Sequence, residues 1–427
     1  DFPTLCFPTL GPMKGASDHK KMLVIGLQWP EPDATAAGQR MWQLLQGFCS
    51  AGYEITFASA AAGEEGSRPL KALGIATLPI QLNHSSFDQW LQRTCFDLVL
   101  FDRFITEEQF GWRVREQLPN CTLLLDTEDL HSLRQSRETA VRANRAWEVS
   151  DWLESPVLYR ELASILRCDL SLIISGTERD LLLTHLPFLK GKLHYLPFQF
   201  SPENLSPGPR FSGRRGFVFV GNGKHRPNLD AITLLHSEIW PRLRLLLPDT
   251  RMEIYGAYLP EAIQKLHTPE EGFEVKGWAP VLEPVFSNSR LQLAPLRFGA
   301  GIKGKILNAL RFGLPTLSSP IGWEGIYEGE ASVDFLAGTP EAFARKAALL
   351  YTNEAAWKRS LQEQLRAAAP HFAPSMEALL DDVENPGQRW DSLQEDQKVL
   401  QKMLRHQAFD RSRYLSRWIE AKENRSV

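Results

Sequence analysis

The sequence predicts an α/β protein built from two doubly wound, parallel-sheet domains in tandem, and three observations carry that reading. Short apolar runs alternate with amphipathic helical patterns along most of the chain. The alternation stops once, at SPENLSPGPRFSGRRG (201–216), whose Pro, Gly, Ser and Arg content is that of a linker. It then restarts as a second α/β series of similar length. Two such domains in tandem imply a cleft at the carboxyl ends of parallel strands, where these sheets bind ligands.

Residues 1–21 show no pattern and read as a loose, disordered arm. MLVIGL (22–27) reads as a buried strand. A polar loop then leads into a helix over 39–50, with Met41, Leu44, Leu45 and Phe48 on one face and Gly52 at its end. Further strands are predicted at 53–59, 75–80, 97–102, 122–126, 170–175 and 192–198, with helical patterns between most of them. The second series has strands at 216–221, 251–256, 273–278, 290–295 and 314–319. Its helices run over about 228–247, capped by Asn228, over about 303–312, onward from Pro340, and over 354–368. The predicted domains are therefore 22–205 and 206–380, followed by a helical tail, 381–427. In that tail Leu400, Met403, Leu404, Tyr414, Leu415, Trp418 and Ile419 recur at helical spacing, which predicts a helix docked on the body. Its acids Glu395, Asp396, Asp410, Glu420 and Glu423 argue against a basic membrane face.

With 43% apolar and 23% charged residues, the 427-residue chain has globular composition, which excludes disordered and collagen-like classes. A net charge of -3 leaves no polyanion footprint, so nucleic acid is not an expected partner. Cys6, Cys49, Cys95, Cys121 and Cys168 are scattered and form no CxxC, so neither a disulfide framework nor a zinc cage is expected. Free thiols fit a reducing, cytoplasmic setting. No apolar run approaches the roughly 20 residues of a membrane span, and DFPTLCFPTLGPMKG lacks the apolar core of a signal peptide. The N-x-S/T patterns at Asn83, Asn120, Asn204 and Asn424 are then chance matches.

The chemistry concentrates in LAPLRFGAGIKGKILNALRFGLPTLSSPIGWEG (293–325), which reads strand, glycine loop, helix, turn, strand. Gly299, Gly301 and Gly304 remove side chains just before a helix N-terminus, where backbone N–H groups and the helix dipole favour an anion. Lys303 and Lys305 add positive charge, making a diphosphate cradle. The same residues match G-x-G-x-x-G, and Glu324 stands at the offset of a dinucleotide-binding acid. That fingerprint belongs after the first strand of a βαβ unit, with its acid ending the second strand. Here the loop follows a late strand and LPTLSS ends at Ser319, so NAD is not the expected ligand. A second glycine turn, FVGNGKHRPNLDA (219–231), places Gly221, Gly223, Lys224, His225 and Arg226 toward the same cleft. Asp126, Glu128 and Asp129 end a strand and read first as capping and solvation, with an acceptor contact as the functional alternative. Asp33 reads either as an acceptor contact or as the cap of the first helix. Trp29, Trp278 and Trp323 fall on loops near the cleft and read as packing residues before sugar platforms.

These segments resemble a known family. FVGNGKHRPNLDAITLL, RMEIYGA, FEVKGWAPVLEPVFSNSRLQLAPLRFGAGIKGK and FGLPTLSSPIGWEGI look like the donor domain of family 4-type GT-B glycosyltransferases. DATAAGQRM, GYEITFAS, LLLDTEDLHSLR and RELASILRCDLSLIISGTERDLL resemble the acceptor domain of the same enzymes. The resemblance covers about 22–380 and is most specific over 290–325. It implies two Rossmann-like domains, a nucleotide diphosphate sugar as donor substrate rather than a cofactor, and transfer to a hydroxyl acceptor with retention and without a metal. It places Gly221, Lys224 and Arg226 near the donor phosphates, and Gly301, Lys303 and Lys305 around the diphosphate. Asn308 falls where the family usually holds the ribose with a Glu, and Glu324 near the nucleotide or sugar. His131 falls where a His often contacts the sugar, and Gly38 between donor and acceptor.

The family often carries two glutamates, and Ala300 and Asn308 stand at those positions. Asn308 can accept one ribose hydrogen bond but brings no charge. In retaining transfer the leaving diphosphate can itself help deprotonate the acceptor, its charge met by cations and backbone donors. The expected function is thus a hexosyltransferase in which Lys303 and Arg226 neutralise the diphosphate and His131 contacts the sugar. The acceptor is a glycan, lipid, protein or small molecule with a hydroxyl group. The alternative is a catalytically impaired relative acting as a binding or scaffold protein.

Overall fold

The computed structural model of the chain describes residues 20–63, 67–198, 200, 205, 208–327, 333–372 and 376–423. Residues 1–19 of the expected arm, with Cys6, as well as Asn204, Asn424 and most of the linker's first half, lie outside them, while Lys21 of that arm already belongs to the first strand. Strands β1 (Lys21–Gly26), β2 (Glu54–Ser59), β3 (Ala76–Pro79), β4 (Leu98–Asp102), β5 (Thr122–Asp126), β6 (Leu170–Ile173) and β7 (Leu193–Tyr195) form one parallel sheet in the order β3-β2-β1-β4-β5-β6-β7. Strands β8 (Arg215–Val220), β9 (Met252–Tyr255), β10 (Phe273–Gly277), β11 (Ser289–Ala294) and β12 (Thr316–Ser318) form the second, in the order β10-β9-β8-β11-β12. Each predicted strand is present, with no end displaced by more than three residues. β1, β4 and β5 are nearly all apolar because helices cover both faces of a parallel sheet, so no polar alternation is required. In each sheet the chain reverses direction beside its first strand, between β1 and β4 and between β8 and β11. Crevices open at such switch points, and here the two face each other.

The first helix starts at Ala36, three residues before the expected 39, because Thr35 caps it by accepting from the Gly38 N–H at 2.9 Å. Asp33 is therefore not the cap. Asn228 does not cap the helix after β8 either; the helix is Arg226–Leu234, with His225 at the N-cap position. The expected single run to 247 is instead interrupted by a π stretch, Leu235–Ile239, before Trp240–Leu246. Pro241 lacks an N–H and its ring crowds the preceding turn, and the wider turn relieves both. The linker ends in an anchor: Arg214, fully buried, donates to the carbonyls of Pro209, Phe286, Ser289 and Phe312.

The chain returns to the first domain before residue 381, since Glu377–Glu384 buries Leu379 and Val383 in the core with Leu44, Phe48 and Leu98. The tail helix, Glu395–Glu423, docks there too, mostly through polar side chains, with Leu404 packed against the core and Leu400 and Ile419 half-buried. Gln397 donates to the Phe188 and Lys190 carbonyls, Gln401 to Cys168, and Arg405 to Arg167. Met403, Tyr414, Leu415 and Trp418, expected to face the body, are exposed. Trp29 and Trp323 are buried in the cores, and exposed Trp278 does not line the cleft. Cys49 and Cys95 are exposed, Cys121 and Cys168 buried, and all four are free.

Leu100, in the middle of β4 and fully buried, marks the core. Leu100→Ala is expected to lower stability by about 2–5 kcal/mol, and Tyr414→Ala by less than about 0.5 kcal/mol, read from urea midpoints.

Candidate functional site

A cavity of about 410 Å³ lies where the two switch points meet. Its C-terminal wall comes from the turns after β8 and β11. Gly221 and Gly223 are there because a Cβ would stand 2.7 Å from the Asn228 side chain and 2.2 Å from the Tyr258 carbonyl, respectively. Gly301 has φ +63°, and a Cβ on it would lie 2.8 Å from that of Asp129 in the other domain. The loop thus runs against the opposite domain and then enters the Gly304–Arg311 helix.

Both loop lysines are drawn in rather than solvated. Lys303 is 7% exposed, donates to the Gly301 carbonyl at 2.9 Å and lies 3.7 Å from Glu324. Burial lowers its pKa, against the raising effect of Glu324. Lys305 donates to Asn228 Oδ1 at 2.5 Å and sits 4.3 Å over the Phe219 ring. Burial, helped by Lys303, brings its pKa down to about 7. His225 also lines this wall with a solvent-exposed side chain, and desolvation together with the nearby Arg134, Lys305 and Lys303 charges lowers its pKa.

The N-terminal wall is built on the ends of β4 and β5. Arg103 and Glu128 line it in left-handed backbone conformations, φ 71° and 62°. Such strain in non-glycine residues gathers at functional sites. Asp129 pairs with Arg134 and with His131 Nε2 at 3.3 Å. Burial raises the Asp129 pKa, but the charges facing it, Arg134 foremost, outweigh that and hold it down at about 2. Burial lowers His131 to about 4, leaving a neutral imidazole set edge-on to Phe104. The His131–Arg142 helix is capped from below by Glu161, which accepts from the His131 and Ser132 N–H groups at 2.6 and 3.0 Å.

The walls are clasped together. Arg137 pairs bidentately with Glu324, both contacts at 2.7 Å, and donates to the Gly299 carbonyl at 2.8 Å. Glu178 accepts from the N–H of Leu130 at 3.1 Å and of Gly301 at 2.8 Å, joining one loop from each domain. Burial raises its pKa to about 8. Arg226 pairs with Glu138 at 2.8 Å. Asn308 donates to Gln39 at 3.2 Å and accepts from Arg311 at 3.2 Å.

Of the residues singled out in the sequence, Asp33, His131, Gly221, Lys224, Gly301, Lys303, Lys305 and Asn308 line the cavity. Arg226, Glu324 and Gly38 do not. The first two serve the clasp, and Gly38 makes room for the backbone of Glu31, which a Cβ would approach to 2.4 Å. Arg137 and Glu178 were not legible as site residues. Their sequence signals, a charged helix face and an acid in a first helical turn, are those of ordinary surface residues. Among the described residues, no group of three His, Cys, Asp or Glu is placed to hold a metal ion, and no helix is long and apolar enough to cross a membrane.

Residues 214–353 match the model of the family Glycosyl transferases group 1. No curated protein matches the chain by sequence. Among solved structures, a glycosyltransferase from Rickettsia africae ESF-5 aligns over 88% of this chain and 100% of its own at 9% identity, with a TM-score of 0.61. HepE of Anabaena, in complex with UDP-glucose, covers the same shares at 11% identity and a TM-score of 0.62. TarM aligns over 86% of this chain and 98% of its own at 9% identity and a TM-score of 0.62. The shared architecture is the GT-B fold.

Gly301→Ala tests the close approach. It is expected to cost about 1–3 kcal/mol through its left-handed backbone and the contact with Asp129, with a larger radius of gyration by small-angle scattering as the domains part.

Proposed function

We propose that this chain, which carries a group 1 glycosyl transferase domain on a GT-B fold, moves a sugar from a nucleotide diphosphate sugar to a hydroxyl acceptor, with retention and without a metal. The observation that carries the reading is buried Lys303 and half-buried Lys305 at a glycine loop and helix N-terminus, on the wall of an interdomain cavity. In the free protein Lys303 donates to a carbonyl and is only partly offset by Glu324 at 3.7 Å, and Lys305 donates to an amide. A diphosphate offers both a charged partner, and the helix N-terminus adds backbone donors. As the bond to the sugar breaks, the negative charge growing on the leaving diphosphate falls where these groups already point. They bring the positive charge that a metal ion would otherwise supply. Neutral His131 can exchange hydrogen bonds with a sugar hydroxyl. The Arg137–Glu324 and Glu178 contacts close the cavity, which keeps water from the donor. Retention enters through the resemblance of 290–325 to retaining enzymes. A cytoplasmic location belongs to the same proposal.

One observation favours the non-catalytic alternative. Asn308, at the position where the family usually has a ribose-binding glutamate, is tied to Gln39 and Arg311. Binding without turnover would select that reading.

HepE binds UDP-glucose, which makes it the first donor to test. Saturating UDP-glucose, or another nucleotide sugar in a panel, should raise the melting temperature by several degrees. Lys303→Ala should weaken that binding by about 10- to 100-fold, the worth of a charge-assisted hydrogen bond. If no nucleotide sugar shifts the wild-type melting temperature, the donor reading is wrong.

Lys305 sets the pH dependence. The anion binds the protonated amine and raises its pKa. Affinity is therefore full below about pH 7 and falls as pH rises through that value, by up to about tenfold per unit. Calorimetry across this range should show proton uptake, absent in Lys305→Met.

A further inference from the structure

Most acids around the cavity are engaged; the exceptions are Asp33, which is exposed to solvent, and Glu128. Asp129 is paired with Arg134 and His131. Glu31 accepts from the Tyr258 hydroxyl at 3.1 Å, Glu178 from two backbone N–H groups, and Glu324 from Arg137. Glu128 lines the cavity, and its Oε1 is buried without a hydrogen bond. Its backbone is held left-handed at φ 62°. It also stands against the glycine loop, since a Cβ on Gly301 would lie 3.6 Å from the Glu128 carbonyl oxygen. A carboxyl on the N-terminal wall, beside the loop assigned to the diphosphate, is where a hydroxyl entering from the acceptor side meets the anomeric carbon.

Charged groups reach Glu128 from several elements. Arg103, at the start of Arg103–Gln117, and Arg40, from Ala36–Ser50, favour its charged form. Asp126 and Asp102, ending β5 and β4, oppose it. Asp129 is the next residue, and Lys303 and Lys305 face the cavity from the other wall. Burial dominates and pushes the carboxyl up to about 8. A buried acceptor atom without a partner is rare and calls for one, and an acid of this strength is matched to proton transfer near neutral pH.

We propose that Glu128 receives the acceptor: its carboxylate accepts the hydrogen bond of the incoming hydroxyl and takes its proton as the hydroxyl oxygen bonds to the anomeric carbon. The bond between that carbon and the diphosphate oxygen breaks, and its electron pair leaves with the diphosphate. The hydroxyl enters on the face the diphosphate leaves, as retention requires, and the proton stays on Glu128 until the product departs. The inference rests on the donor reading above. It differs from a mechanism in which the leaving diphosphate alone takes the proton, because that mechanism gives Glu128 no part in the pH profile.

The test has two stages. The melting shift with UDP-glucose and the nucleotide-sugar panel is measured first, and its absence in the wild type removes the donor reading and this proposal with it. With donor saturating, release of nucleoside diphosphate is then followed from about pH 6 to 9, with water and a panel of free mono- and disaccharides as acceptors. Wild-type release should rise about tenfold per pH unit and level off near pH 8. Glu128→Gln should keep its donor affinity within about twofold, lose about 10²- to 10⁴-fold in release, and lose the rising limb. Glu128→Asp should recover part of the rate. Four results overturn the proposal: a fall below about tenfold in Glu128→Gln, persistence of the limb, loss of the donor shift in that variant, or a wild type that binds donor and releases nothing. Should Glu128→Gln not fold, Glu128→Asp decides, an unaltered limb overturning the proposal and a displaced or weakened one supporting it.

Discussion

Gly301 and Asp129 come closer than two side-chain-bearing residues could, and the interdomain cavity follows from that contact. With no Cβ at position 301 and a left-handed backbone there, the loop after β11 lies directly on the turn after β5. The backbone N–H groups that the approach would strand, those of Gly301 and Leu130, are both satisfied by one carboxylate, Glu178. Around it Arg137 draws in Glu324, which in turn offsets the charge of Lys303. The apolar part of the seam, Ile174 and Phe198 against Ile302 and Ile306, then excludes water from these ion pairs.

Burial gives the site its chemistry. Two lysines, two histidines, Glu128 and Glu178 are all displaced from their ordinary pKa toward neutrality, and desolvation is the leading cause each time. Charged groups held out of water without full pairing raise the free energy of the empty protein, and a ligand of complementary charge lowers it. The C-terminal wall is short of an anion and the N-terminal wall is short of a hydrogen-bond donor. A diphosphate on one side and a hydroxyl on the other meet those two needs.

The tail follows a different rule. The Pro156–Arg167 helix ends at the body's surface with carbonyls that no helical N–H can reach. Gln401 and Arg405 donate to them, and Gln397 does the same for the turn at Phe188–Lys190. Backbone acceptors needing donors select the side of Glu395–Glu423 that carries Gln397, Gln401 and Arg405, so Met403, Tyr414, Leu415 and Trp418 are left facing outward while Leu404 packs on the body.

What the sequence determined by itself was the part governed by local physics. The alternation of apolar runs and helical patterns set both sheets, because a strand covered on two faces must be apolar along its length. The glycines and lysines at 299–305 marked the cavity wall, because close backbone approach and positive charge at a helix N-terminus leave a local pattern. The tertiary structure alone decided which charges are free and which are spent. Arg226 and Glu324 look like ligand contacts in sequence, yet they are partners of Glu138 and Arg137, residues far away in the chain. Glu178 looks like a surface acid, and Glu128 reads as capping with an acceptor contact as its alternative; they become the clasp and the unpaired carboxyl where the second domain packs on the first. Pairing between domains has no period and no spacing, so it appears only once the chain has folded.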